Sequence, residues 1–143
     1  MDRVNELSVP GYFKNLAEIA DFIDQAAAEA GLDERATYAV QTAVDEACTN
    51  IIKHGYGGEG RGQIRLCYEV RPTGLQITIY DHGSPFEPDQ IPQPDLQAPL
   101  SERSPGGLGL FLMRRLVDTV DFEFGTAQGN RLTLFKRRQE SDL

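Results

Sequence analysis

The chain has 143 residues, a formal net charge of −8, 40% hydrophobic residues and two cysteines. That length suits one domain, and the hydrophobic fraction is too high for a disordered chain. The negative charge argues against bulk nucleic-acid binding, because phosphate backbones repel such a surface.

No apolar run is long enough to span a membrane, and the opening MDRVNELSVPGYF lacks the apolar stretch and small-residue cleavage site of a secretory signal. The expected compartment is the cytoplasm. Cys48 and Cys67 each fall in an apolar-periodic segment and read as small buried hydrophobes. The cysteine and histidine spacings make no zinc pattern.

In chain order, residues 3–9 read as a short strand. A first helix is expected over 15–30, with Leu16, Ile19, Ala20, Ile23, Ala26, Ala27 and Ala30 at three- and four-residue spacing and Gly31 as the stop. A second helix starts at Asp33, a suitable N-cap, and runs to His54 before the glycines at 55, 57 and 58. QIRLCYEV and LQITIYD alternate apolar and polar residues across Pro72-Thr73-Gly74, which predicts a hairpin. Residues 82–107 hold six of the eight prolines and no periodicity, which marks a functional or disordered loop. A third helix is expected over 108–120. A last hairpin pairs DFEFG with RLTLFKR across 127–130, and residues 139–143 look frayed. This order predicts an α+β fold, a two-layer sandwich with a mixed, mostly antiparallel sheet and helices on one face. A doubly wound parallel sheet would need a strand–helix alternation that is missing.

Three constellations carry possible chemistry. On the second helix Glu46, Asn50 and His54 are each four apart and share one stripe, opposite the apolar Ala43, Ala47, Cys48, Ile51 and Ile52. A carboxylate and a carboxamide in register suit Mg²⁺ or a hydroxyl; the competing reading is a wet polar helix face. Asp81 ends an alternating strand and Gly83 follows, which is either a ligand-facing strand end or an ordinary turn. Glycines at 106, 107 and 109 open the third helix, where free amides and the helix dipole favour phosphate; they also suit a hinge or a cap. The P-loop, the dinucleotide fingerprint and the H-R-D and D-F-G kinase elements are all missing.

Taken together, EACTNIIKHG, DHGSPF and GGLGLFLMRRLVD resemble, in order, the N-box and the two glycine boxes of the GHKL ATPase superfamily. The resemblance spans nearly the whole chain and is greatest to the bacterial anti-sigma-factor serine kinases. It implies one ATP-binding domain over residues 1–143 with the Bergerat fold and a lid at about 84–107. Within it, Glu46 is the general base and Asn50 a ligand of Mg²⁺ on the ATP phosphates. Asp81 binds the adenine amino group with support from Thr133, and Gly83 makes room for the base. Gly107 and Gly109 bring amides to the phosphates, Arg103 reaches the γ-phosphate, and His54 contacts phosphate or, like Lys53, finishes the helix. Pro85 stands where the wider superfamily often has a second glycine, a variant common in the anti-sigma subfamily. Before residue 15 there is no room for the helix pair that dimerises histidine kinases.

The resemblance therefore implies a kinase that uses ATP to phosphorylate a small antagonist protein and that sequesters a sigma factor. The alternative is a non-catalytic module that holds ATP and traps a protein partner. Strand 3–9 is an edge on which two copies could pair as a homodimer.

Overall fold

The computed structural model describes residues 5–84 and 105–139, with the side chains of 105–110 left aside. Strand β1, Asn5–Pro10, leads through a 3-10 turn, Phe13–Asn15, into helix α1, Leu16–Ala30. Helix α2 is Glu34–Asn50. Strands β2, Gln63–Arg71, and β3, Gly74–Asp81, form a hairpin. Helix α3, Pro105–Leu116, precedes a second hairpin of β4, Thr119–Thr126, and β5, Gly129–Arg137.

Amphipathic spacing accounts for both long helices. α1 buries Ile19, Ile23, Ala26, Ala27 and Ala30, and α2 buries Ala36, Ala39, Val40, Ala43, Val44, Ala47 and Cys48. Most of these are alanines, which allow close approach to each other and to the sheet. α1 stops at Gly31, which turns left-handed at φ 72°, and the Leu32 amide returns to the Ala27 carbonyl at 3.0 Å. Asp33 caps α2 by accepting from the Ala36 amide at 2.7 Å.

The sheet order is β1-β2-β3-β5-β4. Among the described residues the four pairings are antiparallel, in line with the mostly antiparallel sheet expected from the sequence. Val9, Ile64, Leu66, Tyr68, Leu75, Ile77, Ile79, Leu132 and Leu134 point to the helices and join Ile23, Val40, Val44 and Ile52 in one core. Cys48 is in that core, its thiol pushed far up by burial first and then by Asp45 and Asp81. Cys67 departs from expectation. It lies on the opposite sheet face, half-buried beside Thr78, and its thiol is raised mainly by burial.

Three boundaries move. α2 is α-helical only to Asn50; residues Ile51–Gly55 form a wider π turn, closed by the Tyr56 amide on the Ile51 carbonyl at 2.7 Å. α3 begins at Pro105, where the missing proline N–H costs nothing at a first helical position. The expected lid segment therefore ends three residues early. α3 also stops at Leu116, not 120: the Asp118 amide bonds the Phe135 carbonyl at 2.9 Å and its carboxylate accepts from the Arg137 amide at 2.7 Å, which pulls Thr119 and Val120 into β4. Among the described residues, no helix is long and apolar enough to cross a membrane.

Candidate functional site

A cavity enclosing about 340 Å³, part of it open solvent, lies between α2, α3 and the β3–β5–β4 end of the sheet. Ala47, Ile51, Met113, Phe122, Phe124 and Leu132 give it apolar walls, and Asn50, Asp81 and Asn130 are its compact polar groups. The flat lining comes from β4, where alternation turns Val120, Phe122 and Phe124 inward and the rings of Phe122 and Phe124 stack 5.8 Å apart.

Asp81 is the one buried carboxylate among the described residues, at 8% exposure. Its Oδ1 accepts from the Gly83 amide at 2.8 Å and from Asn130 Nδ2 at 3.1 Å. Asn130 Nδ2 also donates to the Gly83 carbonyl at 2.9 Å. A buried carboxylate without partners would be costly, and these two donors offset part of that cost at the cavity wall. The sheet register explains the pairing: Asp81 sits opposite Asn130, and both point to the helix side.

Asn130 was missed in the sequence because 127–130 read as a turn. The turn is tighter than that: Thr126 pairs with Gly129, leaving Ala127 and Gln128 alone at the tip. Gly125, at φ 68°, supplies the bulge that shifts the register between Glu123 and Thr126. Thr133, in contrast, sits opposite Thr78 on the other sheet face, so it cannot support Asp81. Strand alternation decides this, since positions 130 and 133 differ by an odd step.

Gly83 also has a different neighbour from the one expected. A Cβ there would lie 2.5 Å from the Gly55 carbonyl carbon and 2.6 Å from its oxygen. The missing side chain makes room for the end of the π turn, and the Ser84 amide bonds the Gly55 carbonyl at 2.7 Å.

On α2, Asn50 reaches the cavity; Glu46, one turn before it, is half-buried and lies outside the lining. His54 is exposed on the π turn with Lys53, and neither lines the cavity, so of the stripe of three only Asn50 does. Gly107 falls within the first turn of α3, where amides lack an intrahelical partner, and Gly109 falls just beyond it. α3 packs on α2, and Met113, about two turns in, forms part of the cavity wall. Arg103 lies outside the described residues, as does most of the expected lid. Among the described residues, no three His, Cys, Asp or Glu side chains could jointly hold a metal ion.

The model of the histidine kinase-like ATPase domain matches residues 10–136. The serine-protein kinase RsbW of Bacillus velezensis is 32% identical over 108 residues, covering 72% of this chain and 67% of that protein. Its namesake in Bacillus subtilis is 36% identical over 86 residues, covering 57% of this chain and 53% of the other. The chain thus spans between half and two thirds of these relatives. A crystal structure of the RsbU and RsbW domains of a Mycobacterium tuberculosis protein superposes with a TM-score of 0.66 at 18% identity, covering 94% of this chain and 32% of that one. That likeness concerns the fold: a five-stranded antiparallel sheet backed by helices. With the family match running over most of its length, the chain belongs to the histidine kinase-like ATPase domain family.

Proposed function

We propose that the cavity holds the adenine of ATP and that the chain is a serine/threonine-protein kinase, which phosphorylates a small antagonist protein and sequesters a sigma factor. The observation that carries the reading is Asp81: a buried carboxylate, fixed through one oxygen by Gly83 and Asn130, on the wall of an apolar cavity with stacked aromatic rings. A flat base with an exocyclic amine complements that chemistry. The names of the relatives, serine-protein kinase RsbW, support the reaction type.

The residues present fit the nucleotide and its metal. Apolar walls and Asp81 would hold the base, and free amides of the first turn of α3, Gly107 among them, would meet phosphate oxygens. Asn50 would offer a carboxamide oxygen to Mg²⁺, which typically takes few protein ligands and completes its shell with phosphates and water. When bound, Mg·ATP supplies the phosphoryl group and neutralises its charge.

Glu46 has the remaining task. Half-buried and one turn from Asn50, it orients the acceptor hydroxyl and takes its proton. Asn50 fixes where that hydroxyl must arrive. The protein otherwise contributes positioning, as phosphoryl transfer demands. Arg103 would reach the γ-phosphate. Two copies would pair through β1, an edge strand of the sheet, and a purely monomeric sedimentation profile at micromolar concentration would count against that pairing.

The test is to incubate the purified protein with labelled ATP, Mg²⁺ and the small acceptor protein encoded beside it. Label on a serine or threonine of the acceptor is the expected result. ATP-dependent complex formation without label would point to a non-catalytic binding module instead.

A further inference from the structure

The loop that leaves β3 is held from two directions. Asp81 and Asn130 grip the amide and carbonyl of Gly83. From the other side, the Tyr56 hydroxyl accepts from the His82 amide at 2.9 Å, and the Gly55 carbonyl accepts from the Ser84 amide at 2.7 Å. Between these two bonds, Gly83 lies against the Gly55 backbone with no space for a Cβ. The Tyr56 hydroxyl also donates to the Gln63 carbonyl at 2.5 Å, at the start of β2. Its ring lies over Gly62, where a Cβ would come within 2.2 Å of it.

The same two residues belong to the end of α2. Gly55 ends the π turn, and the Tyr56 amide closes it on Ile51, a cavity residue next to Asn50. An ordinary α turn closes at a spacing of four; here the spacing of five widens the helix end and puts Gly55 and Tyr56 against the β3 exit. π turns inside helices recur at functional sites. Burial also raises the Tyr56 hydroxyl, with Asp81 adding to the rise against the bond from His82, so it stays a neutral donor near pH 7.

We propose that Tyr56 is a positioning residue: together with Gly55 it clamps residues 82–84 and so sets where Asp81 meets the base, tying the base end of the site to the helix that carries Asn50. This rests on the adenine-nucleotide reading of the cavity. Tyr56 acts through Asp81 and touches no ligand. The clamp therefore governs base selectivity: with the hydroxyl removed, Asp81 is still present but no longer held at one angle. Adenine and guanine nucleotides share their phosphates, so an effect through the base changes the ratio of their affinities, whereas a general loosening of the fold lowers both alike.

The experiment is calorimetric titration of ADP and GDP, with Mg²⁺, into the wild type and Tyr56→Phe, with amide hydrogen exchange of His82 followed by NMR. Phenylalanine keeps the ring on Gly62 and deletes both hydroxyl bonds. The expected result is a His82 amide that exchanges roughly 10-fold faster or more, ADP affinity lower by about 3–10-fold, and an ADP-to-GDP preference reduced by a similar factor, the range for loss of a neutral hydrogen bond. Should Tyr56→Phe fail to fold, Gly83→Ala opens the clamp from the other side and is expected to lower the same ratio. An unchanged ADP-to-GDP ratio in the folded variant overturns the positioning role and leaves the nucleotide site standing. No ADP binding by the wild type overturns the nucleotide reading itself and the clamp's role with it.

Discussion

Two strand residues, Tyr68 of β2 and Asp81 of β3, put polar atoms into the helix-covered side of the sheet, and they do so differently. The Tyr68 hydroxyl donates to Glu29 and accepts from Asn5 Nδ2 at 2.7 Å and Gln25 Nε2 at 3.4 Å. Its ring meets Phe22 edge-on at 5.2 Å. β1 and α1 thus supply every one of these partners, and the group ties an edge strand to a helix. Asp81 is held through Oδ1 alone in the bonds described above, and its residue lines a cavity. A polar group saturated by its own chain serves the fold; one fixed on one side and facing a cavity is placed for a ligand.

The largest expected effect lies on α2, one turn before the cavity residue Asn50. Glu46→Gln keeps the shape and removes the base, so transfer should fall by ~10²–10⁴ with nucleotide affinity held within a few-fold. Transfer at the parental rate in a labelled-ATP assay would make Glu46 a solvated helix residue. Asn50→Ala should differ from it by impairing Mg·ATP binding and transfer together, read by titration beside the same assay.

Asp81→Asn comes next. The amide oxygen can still accept from Gly83 and Asn130, so the fold is kept, but the second acceptor becomes a donor. ADP affinity should drop about 10–100-fold, the span for a hydrogen bond to a charged group. Tyr68→Phe should show the reverse pattern. It should cost about 1–3 kcal/mol of stability in urea unfolding and leave ADP affinity unchanged. A variant at Tyr68 that weakens ADP as much as Asp81→Asn would erase the contrast between the two sites.

The smallest effect is a pH dependence. Burial, then the bond and charge of Glu29, push the Tyr68 hydroxyl up to about 12. A tyrosine in the unfolded chain ionises near ~10. Below that pH the contribution is fully present; as pH rises through the interval between the two values, the unfolded state releases a proton the folded state retains, and stability falls. Tyr68→Phe should flatten this part of an alkaline unfolding series, and an unaltered slope would contradict the assignment.

Much of this contrast is legible in the sequence. Period and capping gave α1, the start of α2 and the β2–β3 hairpin, because those segments have one apolar face and clear stops. Asp81 stood out as a carboxylate closing an alternating strand. Asn130 did not, because its role depends on a two-residue turn and a bulge at Gly125, and a one-residue error in register moves every side chain to the other face. The same parity made Thr133 a plausible partner on paper and an impossible one in the sheet. The π turn left no trace in the pattern either: Glu46, Asn50 and His54 keep perfect four-residue spacing, and only tertiary bonding from Gly55 and Tyr56 to the β3 exit widens the last turn. Boundaries of α3 failed where Val117 and Val120 continue the apolar rhythm after the backbone has turned to β5.

The central claim is that Asp81 marks an adenine-nucleotide site, and thermal unfolding with and without Mg·ADP tests it most directly. At ~100 times the wild-type Kd, the wild type should gain about 2.7 kcal/mol, and Asp81→Asn at the same concentration only about 0.4–1.4 kcal/mol. Equal stabilisation of the two proteins, or none in the wild type, would contradict it.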